Sequence, residues 1–173
     1  MQHFDYSEAN GFFITINTFQ KELVLATIRD SELHLNKAGL FVEETWESLG
    51  ERFPTILLDS FLVMPNHVHG VLFLGASGAD GKRAANEEGR ASPARTKDAP
   101  PGLGTVVGAF KSISAIGCNR ILGTSGRPFW HRNYCEHVVR SQADLDRIRQ
   151  YIANNPANWA EDEENPEQIL RLR

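Results

Sequence analysis

The chain is poor in several things, and each shortage excludes a class of protein. It has only two cysteines, Cys118 and Cys135, in unrelated segments and without a C-x-x-C pair, so neither a disulfide framework nor a thiol zinc or redox motif is available. It lacks any apolar run near the ~20 residues that a membrane-spanning helix requires. Its first residues, MQHFDYSEAN, lack both the basic start and the apolar stretch of a signal peptide, so a soluble, cytoplasmic protein with no membrane partner is expected. It also lacks a cationic excess: Lys and Arg total 18 against 22 Asp and Glu, a net charge of −4, which argues against a globally basic nucleic-acid binder. The charge is not evenly spread. Arginines 120, 127, 132, 140, 147 and 149 cluster in one stretch, whereas the acid collects in the tail at about 160–173. No internal repeat is present. With 173 residues, 41% of them hydrophobic, the chain is long enough for one proper core, and residues 1–173 are read as a single domain.

What is present reads as alternating strands and helices. GFFITINTF (11–19) alternates Phe13, Thr15 and Asn17 against Phe12, Ile14 and Ile16, a strand pattern. LNKAGLFVEETWESLGERFP (35–54) repeats Leu40, Phe41, Thr45, Trp46 and Leu49 at helical spacing and stops at Pro54. TILLDSFLVM and HVHGVLFL are apolar strands separated by Pro65 and Asn66, turn formers that suit a tight hairpin. The segment at about 75–104 is Gly-, Ala-, Pro- and Ser-rich with balanced charge, and is expected to be a flexible loop. A helix over 103–120, a strand over 127–140 and a helix over 141–156 complete the order, with Ser141 as N-cap of the last. This order predicts an α+β fold: a ferredoxin-like antiparallel sheet packed with helices.

One strand carries unexpected chemistry. In MPNHVHGVLFL, His67 and His69 are two residues apart, so both imidazoles project from one face. The pair alone fits either hydrogen-bonded histidines or two nitrogen ligands of a divalent metal, which still needs a further protein donor. Gly70, just after, marks close approach by another backbone or a ligand. On the last helix Tyr151 and Asn155 share a face one turn apart. Read separately they are a half-buried tyrosine and a helix-terminal residue before Pro156; read together they place a nucleophile beside a ligand. A phenol with a pKa near ~10 is a poor nucleophile until a metal neutralises the phosphate it attacks.

The motifs MPNHVHG, FKS, W-x-R-x-Y-x-EH-x-x-R and YIANNP, in this order from about Tyr6 to Trp159, resemble those of the single-tyrosine HUH transposases, in particular the REP-associated branch related to insertion-sequence enzymes. The resemblance implies an HUH endonuclease-type fold in which His67 and His69 bind Mg²⁺ or Mn²⁺, with Asn155 completing the metal site. It implies that Tyr151 attacks single-stranded DNA near a hairpin, forming a 5′-phosphotyrosine and freeing a 3′-OH. It leaves oligomeric state open, because insertion-sequence relatives are homodimers with shared active sites and REP-associated relatives act as monomers. Where many relatives read WQR and YYEH, this chain has Trp130-His131-Arg132 and Tyr134-Cys135-Glu136-His137.

For the DNA, Lys111, Arg132 and Arg140 are the candidate phosphate contacts, and Tyr134 a candidate for stacking on an unpaired base; Trp130 is assigned to core packing and His137 to either a structural or a catalytic hydrogen bond. Two other functions compete with a nicking and joining transposase. A domesticated hairpin-binding protein would have no need of all four of His67, His69, Tyr151 and Asn155. A His-x-His metallohydrolase using water would retain activity without the Tyr151 hydroxyl.

Overall fold

The computed structural model describes residues 10–75, 101–166 and 168. Strands β1 (Asn10–Asn17), β4 (Ile56–Val63), β5 (His67–Leu74) and β6 (Cys135–Val139) form one antiparallel sheet in the order β4-β5-β1-β6. A separate hairpin pairs β2 (Ala26–Arg29) with β3 (Glu32–Leu35). The helices are α1 (Lys37–Glu47), the short α2 (Leu49–Arg52), α3 (Leu103–Leu122) and α4 (Gln142–Asn154). The α+β, ferredoxin-like reading therefore holds. No described helix is long and apolar enough to cross a membrane.

The two faces of the sheet carry different cores. Ile14 and Ile16 of β1, with Val68 and Leu72 of β5, meet Val42 and Trp46 of α1 and Val106, Val107 and Phe110 of α3. On the opposite face Val71 and Phe73 meet Leu145, Ile148 and Ile152 of α4. Period-two alternation decides the assignment: register pairs Asn17 with His67, Thr15 with both His69 and Cys135, and Phe13 with both Val71 and His137, so these polar groups share the α4 face.

Several local expectations are corrected. The first helix is broken at Ser48 into α1 and α2, and it buries Val42 while Leu40 stays 47% exposed. The β2–β3 hairpin lies between the predicted first strand and first helix, where no element was expected; Asp30 and Ser31 both take positive φ in its turn. Of the predicted last strand, Cys135–Val139 forms a continuous ladder, while Trp130 makes an isolated bridge to Thr18 and donates its indole N–H to Ser114 Oγ at 2.9 Å, deep in the core. Gly70 leaves room for the Trp46 ring, not for a ligand: a Cβ there would lie 2.6 Å from Trp46 Cη2, on the face away from the histidines. The two thiols differ, Cys118 being buried and Cys135 exposed. The expected flexible loop lies largely outside the described residues, and its predicted end, Leu103 and Gly104, already belongs to α3.

Candidate metal and nucleophile site

β5 supplies the two imidazoles, and its central place in the sheet buries them: His67 is 0% exposed and His69 2%. Each ring is held through Nδ1. His67 Nδ1 lies 2.9 Å from Asn66 Oδ1, and His69 Nδ1 lies 2.9 Å from Thr15 Oγ1 across the β1–β5 ladder. Asn66 is oriented in turn, since its Nδ2 donates to the carbonyls of Lys21 at 3.3 Å and Glu164 at 2.7 Å. An amide oxygen only accepts, so His67 carries its proton on Nδ1 and leaves Nε2 a bare lone pair.

The two Nε2 atoms converge to 3.0 Å. Burial first, and then the Lys21 charge, push His67 down to about 3; burial, and then His67, push His69 to about 3. Both rings are therefore neutral at ordinary pH. A single proton on His69 Nε2 can bridge the pair, with the Thr15 hydroxyl then donating to His69 Nδ1. Without that proton two lone pairs point at one spot, which is the donor arrangement of a cation site.

α4 brings the other two residues over this spot. Tyr151 is 50% exposed, with its ring centroid 5.3 Å from that of His69 and 6.0 Å from that of Phe13. Burial, followed by the charge of Asp162, raises the pKa of its phenol, while a hydrogen bond with Asn155 opposes this. Asn155 is 4% exposed, and its Oδ1 is buried with no hydrogen-bond partner among the described residues. Such an oxygen is costly unless something takes it. A cleft of about 780 Å³ opens here, lined by Thr15, His69, Cys135, Tyr151, Asn155 and Asp162 among others. Among the described residues no group of three or more His, Cys, Asp or Glu is arranged to hold a metal ion; the set here is two imidazoles and a carboxamide.

The sequence-predicted residues divide cleanly. His67, His69, Tyr151 and Asn155 come together within one chain. Lys111, Arg132, Tyr134 and Arg140 do not line the cleft. The Lys111 ammonium donates to the carbonyls of His131 and Arg132, each at 2.8 Å, and so fastens that turn. Tyr134 packs against the main core, and burial, then Glu136, raise the pKa of its phenol.

Three supports escaped sequence reasoning. Thr15 and Asn66 orient the rings; a polar residue on an otherwise apolar strand was the available signal for the first. Arg149 donates Nε to Asp59 Oδ1 at 2.9 Å and Nη2 to Asp59 Oδ2, tying α4 to β4 across 90 residues of sequence. Asp59 faces α4 in step with Leu57, and a one-residue bulge between Leu58 and Phe61 then turns Phe61 to the other face, where it stacks on Trp46. Part of the acidic tail also folds back. Glu164 accepts from Asn17 Nδ2 at 2.7 Å and pairs with Lys21 at 2.9 Å, and Trp159 lies 6.2 Å from the His67 ring.

Compared with known proteins, the chain is 31% identical over 165 residues to a protein of Haemophilus influenzae whose description is "Uncharacterized protein", spanning 94% of this chain and 89% of that one. No protein-family profile matches. The fold is similar to that of a solved REP-associated tyrosine transposase bound to a REP hairpin, with a TM-score of 0.53 and 13% identity over 91% of this chain and 72% of the other.

Proposed function

We propose that this chain, which belongs to the same family as the Haemophilus influenzae protein, is a metal-dependent transposase that cleaves and rejoins single-stranded DNA near hairpins. The observation that carries this reading is the convergence of His67 and His69 Nε2 beneath Tyr151, in a cleft shared with Asn155, whose Oδ1 has no partner among the described residues. The shared fold supports it, and the solved transposase was bound to a REP hairpin, in keeping with the hairpin substrate proposed here.

The residues present fit a divalent cation, Mg²⁺ or Mn²⁺: two neutral nitrogens aimed at one point and an amide oxygen with an open valence. When bound, such an ion neutralises the scissile phosphate and stabilises the charge that develops on it. Asn66 and Thr15 fix which nitrogen each imidazole presents. The Tyr151 hydroxyl attacks phosphorus; a P–O bond to tyrosine forms as the bond to the 3′-oxygen breaks. The phenol proton leaves to solvent and the departing 3′-oxygen takes one up. A 5′-phosphotyrosine keeps the diester's bond energy, so a 3′-OH can reverse the step without ATP.

The test is incubation of labelled single-stranded hairpin oligonucleotides, drawn from the DNA flanking the gene, with Mn²⁺ and either the native protein or Tyr151→Phe. An SDS-resistant adduct with the native protein and none with the variant is expected. Cleavage that survives in the variant would replace the reading by a water-using hydrolase, and tight hairpin binding with neither cleavage nor adduct by a binding protein.

A further inference from the structure

α4 leaves the sheet face uncovered between itself and the edge strand β6. There a second hollow of about 400 Å³ is lined by Phe13, His137, Asp144, Arg147, Ile148 and Tyr151. Arg147 and Tyr151 line both this hollow and the larger cleft, so the two are ends of one groove with the tyrosine at their junction.

Asp144 organises the β6 end. It occupies the first turn of α4, where the Ser141 hydroxyl accepts from its backbone N–H. Its carboxylate accepts from the Arg140 backbone N–H at 3.2 Å, lies 3.1 Å from His137 Nε2, and accepts from Arg147 Nη2 at 2.9 Å. Asp144 itself is 9% exposed, whereas the Arg147 side chain is 78% exposed. One guanidinium N–H is thus anchored and the remaining donors have no partner among the described residues. An arginine braced at one corner and otherwise open suits a phosphate, whose oxygens match the fork. The charge also changes along the groove: Arg147 stands at the junction, His137 and the largely buried Asp144 line the β6 end, and the four carboxylates of Glu161, Asp162, Glu163 and Glu164 line the other.

We infer that this groove is a phosphodiester track: Arg147, braced by Asp144, holds the phosphate next to the one Tyr151 attacks, and the single strand leaves toward β6, away from the carboxylates. The inference rests on the proposed function. It assigns to Arg147 a binding role that Lys111, tied to two carbonyls, does not fill.

The test is a scan in which each phosphate of a cleavable hairpin oligonucleotide is replaced in turn by an uncharged methylphosphonate. Binding with Mn²⁺ is measured for Tyr151→Phe, for Tyr151→Phe/Arg147→Ala, and for Tyr151→Phe/Arg29→Ala, in which the lost charge lies on the separate hairpin. The expected result is a loss of about tenfold at one phosphate adjacent to the cleaved bond, absent only where Arg147 is missing. The same profile in all three proteins, or coupling only at phosphates of the hairpin stem, overturns the inference. The cleaved bond is located from the native adduct. An adduct without this coupling defeats the groove alone, and no adduct from the native protein defeats the proposed function instead.

Discussion

At the scale of the residue, the candidate site depends on neighbours that hold its side chains in place. Asn66 accepts from the His67 ring and donates to two carbonyls, so Asn66→Ala removes the group that chooses the proton position on His67. Losses of outer partners of this kind cost about 10–100-fold in metal affinity. Titration calorimetry with Mn²⁺ should show a drop of that size with the thermal unfolding transition retained; unchanged affinity would mean that His67 is oriented by something else. Gly70 illustrates the opposite case, where a suspected site residue serves packing. Its missing side chain is filled by the Trp46 ring, itself stacked on Phe61 at 4.5 Å. Gly70→Ala should destabilise the protein by about 1–3 kcal/mol in urea unfolding, the usual cost of overpacking a core. Both residues are adjacent to the histidines in sequence, but Asn66 lies in the turn before β5, where its side chain reaches the His67 ring, whereas Gly70 lies within the strand and faces Trp46.

At the scale of the element, α4 must lie at one angle on the sheet for Tyr151 to reach the histidines, and the Asp59–Arg149 pair sets one of its edges. Burial raises the pKa of the Asp59 carboxyl, but hydrogen bonds from Arg149 and Ser60, with the charge of Arg149, outweigh it and bring the pKa below the ordinary value. A depressed carboxylate contributes stability that is present above its unfolded pKa and is lost as pH falls through the folded one. Unfolding curves from about pH 5 down to about pH 3 should therefore show the native protein losing more stability than Arg149→Gln, which lacks the pair at every pH. At neutral pH that variant should be less stable by about 1–3 kcal/mol, because it strands a mostly buried carboxylate. Parallel acid profiles for the two proteins would remove the pair from the account of how α4 is placed.

At the scale of the whole molecule, Tyr151 and the histidines meet within a single chain: the Tyr151 ring lies against His69, and α4 packs on the sheet of its own chain through Leu145, Ile148 and Ile152. Under the proposed function, a mixture of His69→Ala and Tyr151→Phe proteins should form no DNA adduct, because neither chain can complete the other; an adduct in the mixture would require active sites shared between two copies. Much of this was legible beforehand. The period-two run of MPNHVHGVLFL, the i,i+4 pair Tyr151 and Asn155, and the α+β order are local patterns, and local patterns survive translation into structure because strand and helix periodicities are short. The settings of the cationic side chains were not legible in the same way. Lys111 and Arg147 are equally cationic in the sequence, and only packing ties one to two carbonyls and leaves the other braced and open beside the cleft. The bulge that turns Phe61 onto the Trp46 face just after Asp59, and the return of Glu164 to Asn66 across 98 residues, likewise left no periodic trace. The amino-acid order by itself determined which groups are candidates for the site: two histidines on one strand face and a tyrosine one turn from an asparagine. The tertiary structure alone decided which of them meet, because contacts between distant segments follow from sheet register and helix placement, and neither is written in any one stretch of the chain.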